Sequence, residues 1–136
     1  MKQYFECKIK YNKVLEDGKE KVVTEKYLVD AMSFAEAEAN ITKEMASYIS
    51  GEFFIDDISR ASYSELFLNE SDKYYDAKLA FISIDDSGKE KKTSVNMLVQ
   101  ANDMRDAMNK LDEGMKNTMA DYESVKLQAT SIVDVF

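Results

Sequence analysis

The chain contains no histidine, no tryptophan and no proline, and only one cysteine and four glycines among 136 residues. Without histidine, the commonest general base, metal ligand and physiological-pH switch are missing together. The single cysteine, Cys7, rules out an internal disulfide. It stands between Phe5 and Ile9 on an alternating apolar face, with no imidazole to activate it, so it reads as a buried structural residue rather than a nucleophile. Glycines at 18, 51, 88 and 114 are too scattered for a phosphate loop or a dinucleotide fingerprint. No apolar run approaches the roughly 20 residues that cross a bilayer. The opening MKQYFECKIKYNK alternates polar and apolar residues without an apolar core, so no signal peptide is expected.

What is present is the balance of a globular protein, with 45% hydrophobic and 32% charged residues. Eighteen Lys and Arg against 26 Asp and Glu give a net charge of −8. That surplus opposes non-specific binding to nucleic acid or anionic lipid. The free cysteine and eight methionines fit a reducing compartment, so a cytoplasmic location is expected. The acidic pairs Asp56-Asp57 and Asp85-Asp86 offer oxygen ligands of the kind Mg2+ or Ca2+ takes. Neighbours in a strand point to opposite faces, however, and Asp85-Asp86 precedes a turn, where acidic residues are common. No catalytic residue, metal ligand or cofactor is therefore expected.

Sliding the sequence along itself reveals an internal repeat at an offset of 70 residues, Tyr4 falling on Tyr74. Identities include Lys8/Lys78, Gly18/Gly88, Leu28/Leu98, Val29/Val99, Ala31/Ala101, Ala37/Ala107 and Met45/Met115. Shortening the offset by one residue after the helix aligns Ile58 with Leu127, Tyr63 with Ile132, Leu66 with Val135 and Phe67 with Phe136.

Phe5, Cys7, Ile9 and Tyr11 alternate with polar residues, as do Tyr75, Ala77, Leu79 and Phe81, which is the pattern of a half-buried strand. Turns are expected at Glu16-Asp17-Gly18 and Asp86-Ser87-Gly88, each leading into a second strand that ends near Ala31 or Ala101. Ser33 with Glu36, and Asp103 with Asp106, have the spacing of a helix start. Phe34, Ala37, Ile41 and Met45 form one helical stripe and Met104, Ala107, Leu111 and Met115 another, the helices ending near Gly51 and Asn117. One further strand closes each half. The expected fold is α+β: a tandem duplication of a strand-strand-helix-strand unit, with about six strands, two helices and pseudo-twofold symmetry. Residues 1–136 then form a single domain of two repeats, 1–68 and 71–136, arranged as one six-stranded sheet or two packed layers. Strand edges without proline make a homodimer the expected assembly.

Candidate binding residues are the lysines of the two hairpin tips, Lys19 and Lys21 in one and Lys89, Lys91 and Lys92 in the other, with Tyr4 and Tyr74 as stacking surfaces. Such hairpins can grip phosphate, although the interleaved glutamates fit a solvated edge as well. Nucleic acid or a nucleotide is accordingly the second choice of partner, after another protein; no membrane contact is expected.

Several blocks carry a resemblance: Tyr27-Leu28-Val29-Asp30-Ala31 with Ser33-Phe34, Ile49-Ser50-Gly51-Glu52-Phe53, Asn96-Met97-Leu98-Val99-Gln100-Ala101, and Glu113-Gly114-Met115-Lys116 followed by Thr118-Met119-Ala120-Asp121-Tyr122-Glu123. Over essentially the whole chain these resemble an uncharacterised family, a domain of unknown function found in Bacteroides-group bacteria and in their phages and mobile elements. The resemblance implies a setting but no mechanism, cofactor or site residue. The expected function is that of a non-enzymatic accessory protein that works by binding another protein; the alternative is a protein that binds or sequesters nucleic acid or nucleotides through the lysine hairpins.

Overall fold

The computed structural model describes residues 3–136, which form two helices and eight strands. In chain order these are β1 (Tyr4–Val14), β2 (Glu20–Asp30), α1 (Phe34–Tyr48), β3 (Phe53–Ala61), β4 (Tyr63–Phe67), β5 (Lys73–Ile84), β6 (Glu90–Ala101), α2 (Met104–Gly114), β7 (Asp121–Ala129) and β8 (Ile132–Val135). They build two four-stranded sheets, ordered β3-β1-β2-β8 and β4-β6-β5-β7. The α+β class holds. The strand count is eight rather than about six, and no single six-stranded sheet forms. The closing segment of each half is broken once, at Ser62 and at Thr130-Ser131, and the pieces either side of the break pair in different sheets.

The chain divides into two compact units on this basis, one running through Ala61 and taking in Ser131–Phe136, the other Ser62–Thr130. The unit boundaries thus differ from the expected repeats 1–68 and 71–136, because β4 belongs to the second unit and β8 to the first. β4 leaves the first half of the sequence to pair in parallel with β6, Leu66 opposite Leu98 and Phe67 opposite Val99. β8 pairs in parallel with β2, placing Val135 opposite Leu28. The ladder continues one residue further, because Phe136 N–H donates to Leu28 O at 2.8 Å.

Local chemistry explains the hairpins. Gly18 and Gly88 adopt φ of 81° and 84°, a left-handed conformation that glycine enters without a Cβ clash. In the second hairpin the Asp85 carboxylate accepts from Ser87 N–H, the Ser87 hydroxyl and Lys89 N–H, and these bonds hold its pKa below the ordinary value. Both helices start where capping was expected: Ser33 Oγ accepts from Glu36 N–H at 3.1 Å and Asp103 Oδ1 from Asp106 N–H at 2.8 Å. They end earlier than expected, at Tyr48 and Gly114, because Ile49 already has extended backbone and Met115 closes the second helix.

Each unit has its own core. In the first, Phe5, Cys7, Ile9, Tyr27 and Val29 on the sheet meet Ala37, Ile41 and Met45 of α1. In the second, Tyr75, Ala77, Leu79, Met97 and Val99 meet Ala107, Leu111 and Met115. Phe34 lies at the margin with its ring edge-on to Phe5, centroids 4.9 Å apart, and the Arg60 guanidinium covers both rings at 5.1–5.2 Å. A β-bulge interrupts the pairing of β1 with β3 and of β5 with β7, leaving Asp56 and Val125 without an opposite residue.

Candidate functional site

The hairpin lysines are divided between the two units, Lys19 and Lys21 in the first and Lys89, Lys91 and Lys92 in the second. Lys19 and Lys89 lie just outside the strands, Lys21 is opposite Lys13, Lys91 opposite Ser83 and Lys92 opposite Ile82. Adjacent strand residues face opposite ways, so Lys91 and Lys92 serve different faces of the same ribbon. Lys92 is engaged with Glu123 at 3.0 Å, and its pKa is raised by that carboxylate. Tyr4 is opposite Asp30 and Tyr74 opposite Gln100, at the far ends of the strands from the turns. Ten residues of extended chain separate either tyrosine from its hairpin turn by roughly 33 Å. Tyr74 is also buried. Within each unit the hairpin lysines and the tyrosine therefore do not form a common site.

The structure brings other residues together. On the first sheet Lys10, Tyr11, Asn12, Val22, Glu52 and Phe54 line a surface cavity of about 190 Å3. The register explains it: Lys10 is opposite both Phe54 and Thr24, and Asn12 is opposite Val22. Phe54 is 65% exposed, Val22 57% and the adjoining Val14 66%, so large apolar side chains face solvent beside a cationic and an amide group. Sequence reasoning missed this patch. Its signal was the adjacent pair Phe53-Phe54, since in a strand one of two neighbours must leave the core. At the equivalent register positions of the second sheet stand Ala80, Lys92 and Glu123, the last two closed into the ion pair just described.

A second group, Asp76, Lys78, Asn96, Lys126 and Gln128, lines a cavity of about 110 Å3 on the second sheet. Lys78 is directly opposite Lys126 on one side and Asn96 on the other.

Among the titratable groups of the core, Cys7 is fully buried and its thiol is pushed up to about 11, first by burial and then by Glu6 and Asp57. The thiolate needed for nucleophilic chemistry is therefore disfavoured at neutral pH. Tyr11 and Tyr27 hydroxyls both donate to Glu25 Oε1, at 2.7 and 3.1 Å. Burial and that carboxylate push Tyr11 up to about 12 and raise Tyr27 as well. Asp57 pairs opposite Lys8 while Asp56 is the bulge residue, and no group of three or more metal-ligating side chains occurs among the described residues. No helix among them is long and apolar enough to cross a membrane.

Compared with models of known families, residues 3–136 match one, described as a domain of unknown function. No curated protein and no solved structure matches the chain.

Proposed function

The chain belongs to that family, DUF4494, and we propose that it is a non-enzymatic accessory protein that acts by binding another protein through the exposed patch of Phe54, Val22 and Val14 on its first sheet. The observation that carries this reading is the contrast between equivalent positions. Where the first sheet shows solvent Val22 and Phe54, the second has the Lys92–Glu123 ion pair, so the fold itself does not require apolar groups there. An exposed apolar patch with a polar rim is the surface pattern of a protein partner. The rim here is Lys10, Asn12 and Glu52.

The duplication is part of the same proposal. It is supported by pairing registers that agree position for position, including the bulges at Asp56 and Val125 and the parallel pairs Leu28 with Val135 and Leu98 with Leu66. An ancestral unit whose last strand was exchanged between copies is a dimer in origin, and a present-day homodimer formed along the sheet edges β3 or β7 extends that history. A setting linked to Bacteroides-group phages or mobile elements is what the family resemblance adds, and the free Cys7 supports a cytoplasmic location.

The test uses two surface variants of the whole protein. Phe54→Glu should abolish retention of a discrete protein that the unsubstituted chain captures from its source organism, while Ile84→Glu, also on an exposed position, leaves retention intact. Equal capture by all three proteins would overturn the assignment to this patch. Sedimentation of the purified protein with and without Phe54→Glu determines whether the captured partner is a second copy.

A further inference from the structure

Independently of the protein-binding patch, we infer that the lysine pair on the second sheet is an anion site that takes the phosphate group of a small phosphate monoester. The inference starts from a charge imbalance between equivalent positions. On the first sheet Lys8 is opposite Lys26 and Asp57, and Lys26 is ion-paired with Glu6 at 3.0 Å. Two ammonium groups there meet two carboxylates. On the second sheet the position of Lys26 holds Asn96, that of Asp57 holds Lys126 and that of Glu6 holds Asp76. Lys78 and Lys126 thus oppose each other directly, a pairing that repels in a sheet unless an anion lies between them. Lys26–Glu6, Lys92–Glu123 and Lys110–Asp106 are ion pairs among the described residues, and they include neither lysine.

Geometry supplies the rest. β6, β5 and β7 are neighbouring strands, so Asn96, Lys78 and Lys126 form a row across three of them, all exposed. Gln128 is opposite Asp76 in the next row, and the five side chains enclose a cavity of about 110 Å3. Ammonium and amide donors approaching from three strands suit a tetrahedral oxyanion, which accepts in every direction. A planar carboxylate is matched better by an arginine fork, which this face does not have. The amide oxygen of Gln128 sets a neutral acceptor at the margin of the donors, which fits a phosphate carried on a hydroxyl-bearing molecule better than a bare ion. The charge reversal from Asp57 to Lys126, visible when the halves are aligned, was the sequence signal for it.

The experiment is a titration of the whole isotope-labelled protein, followed through its amide resonances, with adenosine 5′-monophosphate, with inorganic phosphate and with sodium chloride at matched ionic strength. Saturable shifts centred on Lys78, Asn96 and Lys126 are expected with the monoester, with a Kd on the order of millimolar, the range two exposed charge contacts support. Either Lys78→Gln or Lys126→Gln should weaken binding by about tenfold, since each removes one charge-assisted contact, whereas Lys8→Gln on the first sheet leaves it unchanged. Tighter binding of the monoester than of inorganic phosphate assigns the ligand to the carrier molecule; equal binding assigns it to phosphate alone and overturns the monoester assignment. Shifts that never saturate, that chloride reproduces, or that Lys8→Gln removes equally overturn the site altogether. The same spectra report whether each variant is folded.

Discussion

In the first unit the aromatic residue that follows the last strand, Phe136, stacks on Tyr27 with centroids 5.7 Å apart and tilts against Tyr48 at 5.8 Å. In the second, the corresponding Phe67 lies against Gly114, where an added Cβ would come within 2.6 Å of the ring. Both rings arrive from the other half of the sequence on a parallel strand. One is held by aromatic partners, the other by the removal of a side chain from the helix beneath it. Gly114 has no positive φ to justify it, and glycine at a helix position is disfavoured by about 1 kcal/mol relative to alanine. The close approach of Phe67 is the reason it is there, and the comparison shows that one packing requirement has two unrelated local solutions.

The largest effect expected from breaking that contrast is Phe67→Ala, which should cost about 3 kcal/mol, the lower end for an aromatic truncation because the ring is only half-buried. Urea denaturation monitored in both units measures it, and an equal loss in both would contradict the separate cores. Gly114→Ala comes next. Helix propensity alone would stabilise, but the new methyl group meets the ring, so a loss of about 1–3 kcal/mol from overpacking is expected. In the Phe67→Ala background the sign should reverse, and a strictly additive double-mutant cycle would refute the close-contact account. Glu44→Gly places glycine at the matching position of α1, where Phe136 is already seated on Tyr27 and Tyr48 with the glutamate side chain present, and should cost only the helix penalty of about 1 kcal/mol.

How much of this was legible can be traced to particular residues. Hairpins, caps and helix stripes were readable because each rests on a few adjacent residues: Asp17-Gly18, Ser33 with Glu36, Ala37 with Ile41 and Met45. The exchange of β4 and β8 was not readable. FFIDDISRASYSELF continues as plausible strand across Ser62, and the period-two pattern that marks a strand carries no information about which sheet it joins. The bulge at Val125 hid a second feature. Val125, Leu127 and Ala129 alternate smoothly in sequence, yet Val125 is 53% exposed because the extra residue resets the facing. Of the candidate site, exposure of the lysines was readable from their setting among glutamates, but not their separation from Tyr4 and Tyr74, which follows from hairpin length. The apolar patch and the lysine row depend on cross-strand register, and only the pairing supplies that.

Alkaline pH sharpens the comparison on a smaller scale. The first unit sets two tyrosines on Glu25, Tyr27 buried and Tyr11 half-buried, while the second has Phe81, Met97 and Val95 at the same register positions. A tyrosine whose folded pKa is raised contributes stability that is complete below its unfolded value near 10 and is lost as pH rises through the folded value. With Tyr11 pushed up to about 12, the first unit should lose stability across roughly pH 10 to 12 while the second is less affected. Melting curves recorded through that window, with amide signals assigned to each unit, test it. Tyr11→Phe together with Tyr27→Phe should flatten the difference; an unchanged slope would remove these two tyrosines as its source.

The smallest effect concerns Cys7, whose position in the second sheet is taken by Ala77. Both are fully buried beneath a helix, so the second unit demonstrates that the site tolerates a methyl group. Cys7→Ala should therefore cost about 1 kcal/mol, the transfer free energy of a small apolar group with little cavity left behind. The buried thiol, with its pKa near 11, should react with a disulfide reagent at pH 8 only as fast as the first unit opens, because both thiolate and access are lacking in the folded state. Reaction slowed in proportion to unfolding by urea-free, stabilising conditions would agree; immediate stoichiometric labelling of the folded protein would place Cys7 outside the core and break the equivalence with Ala77.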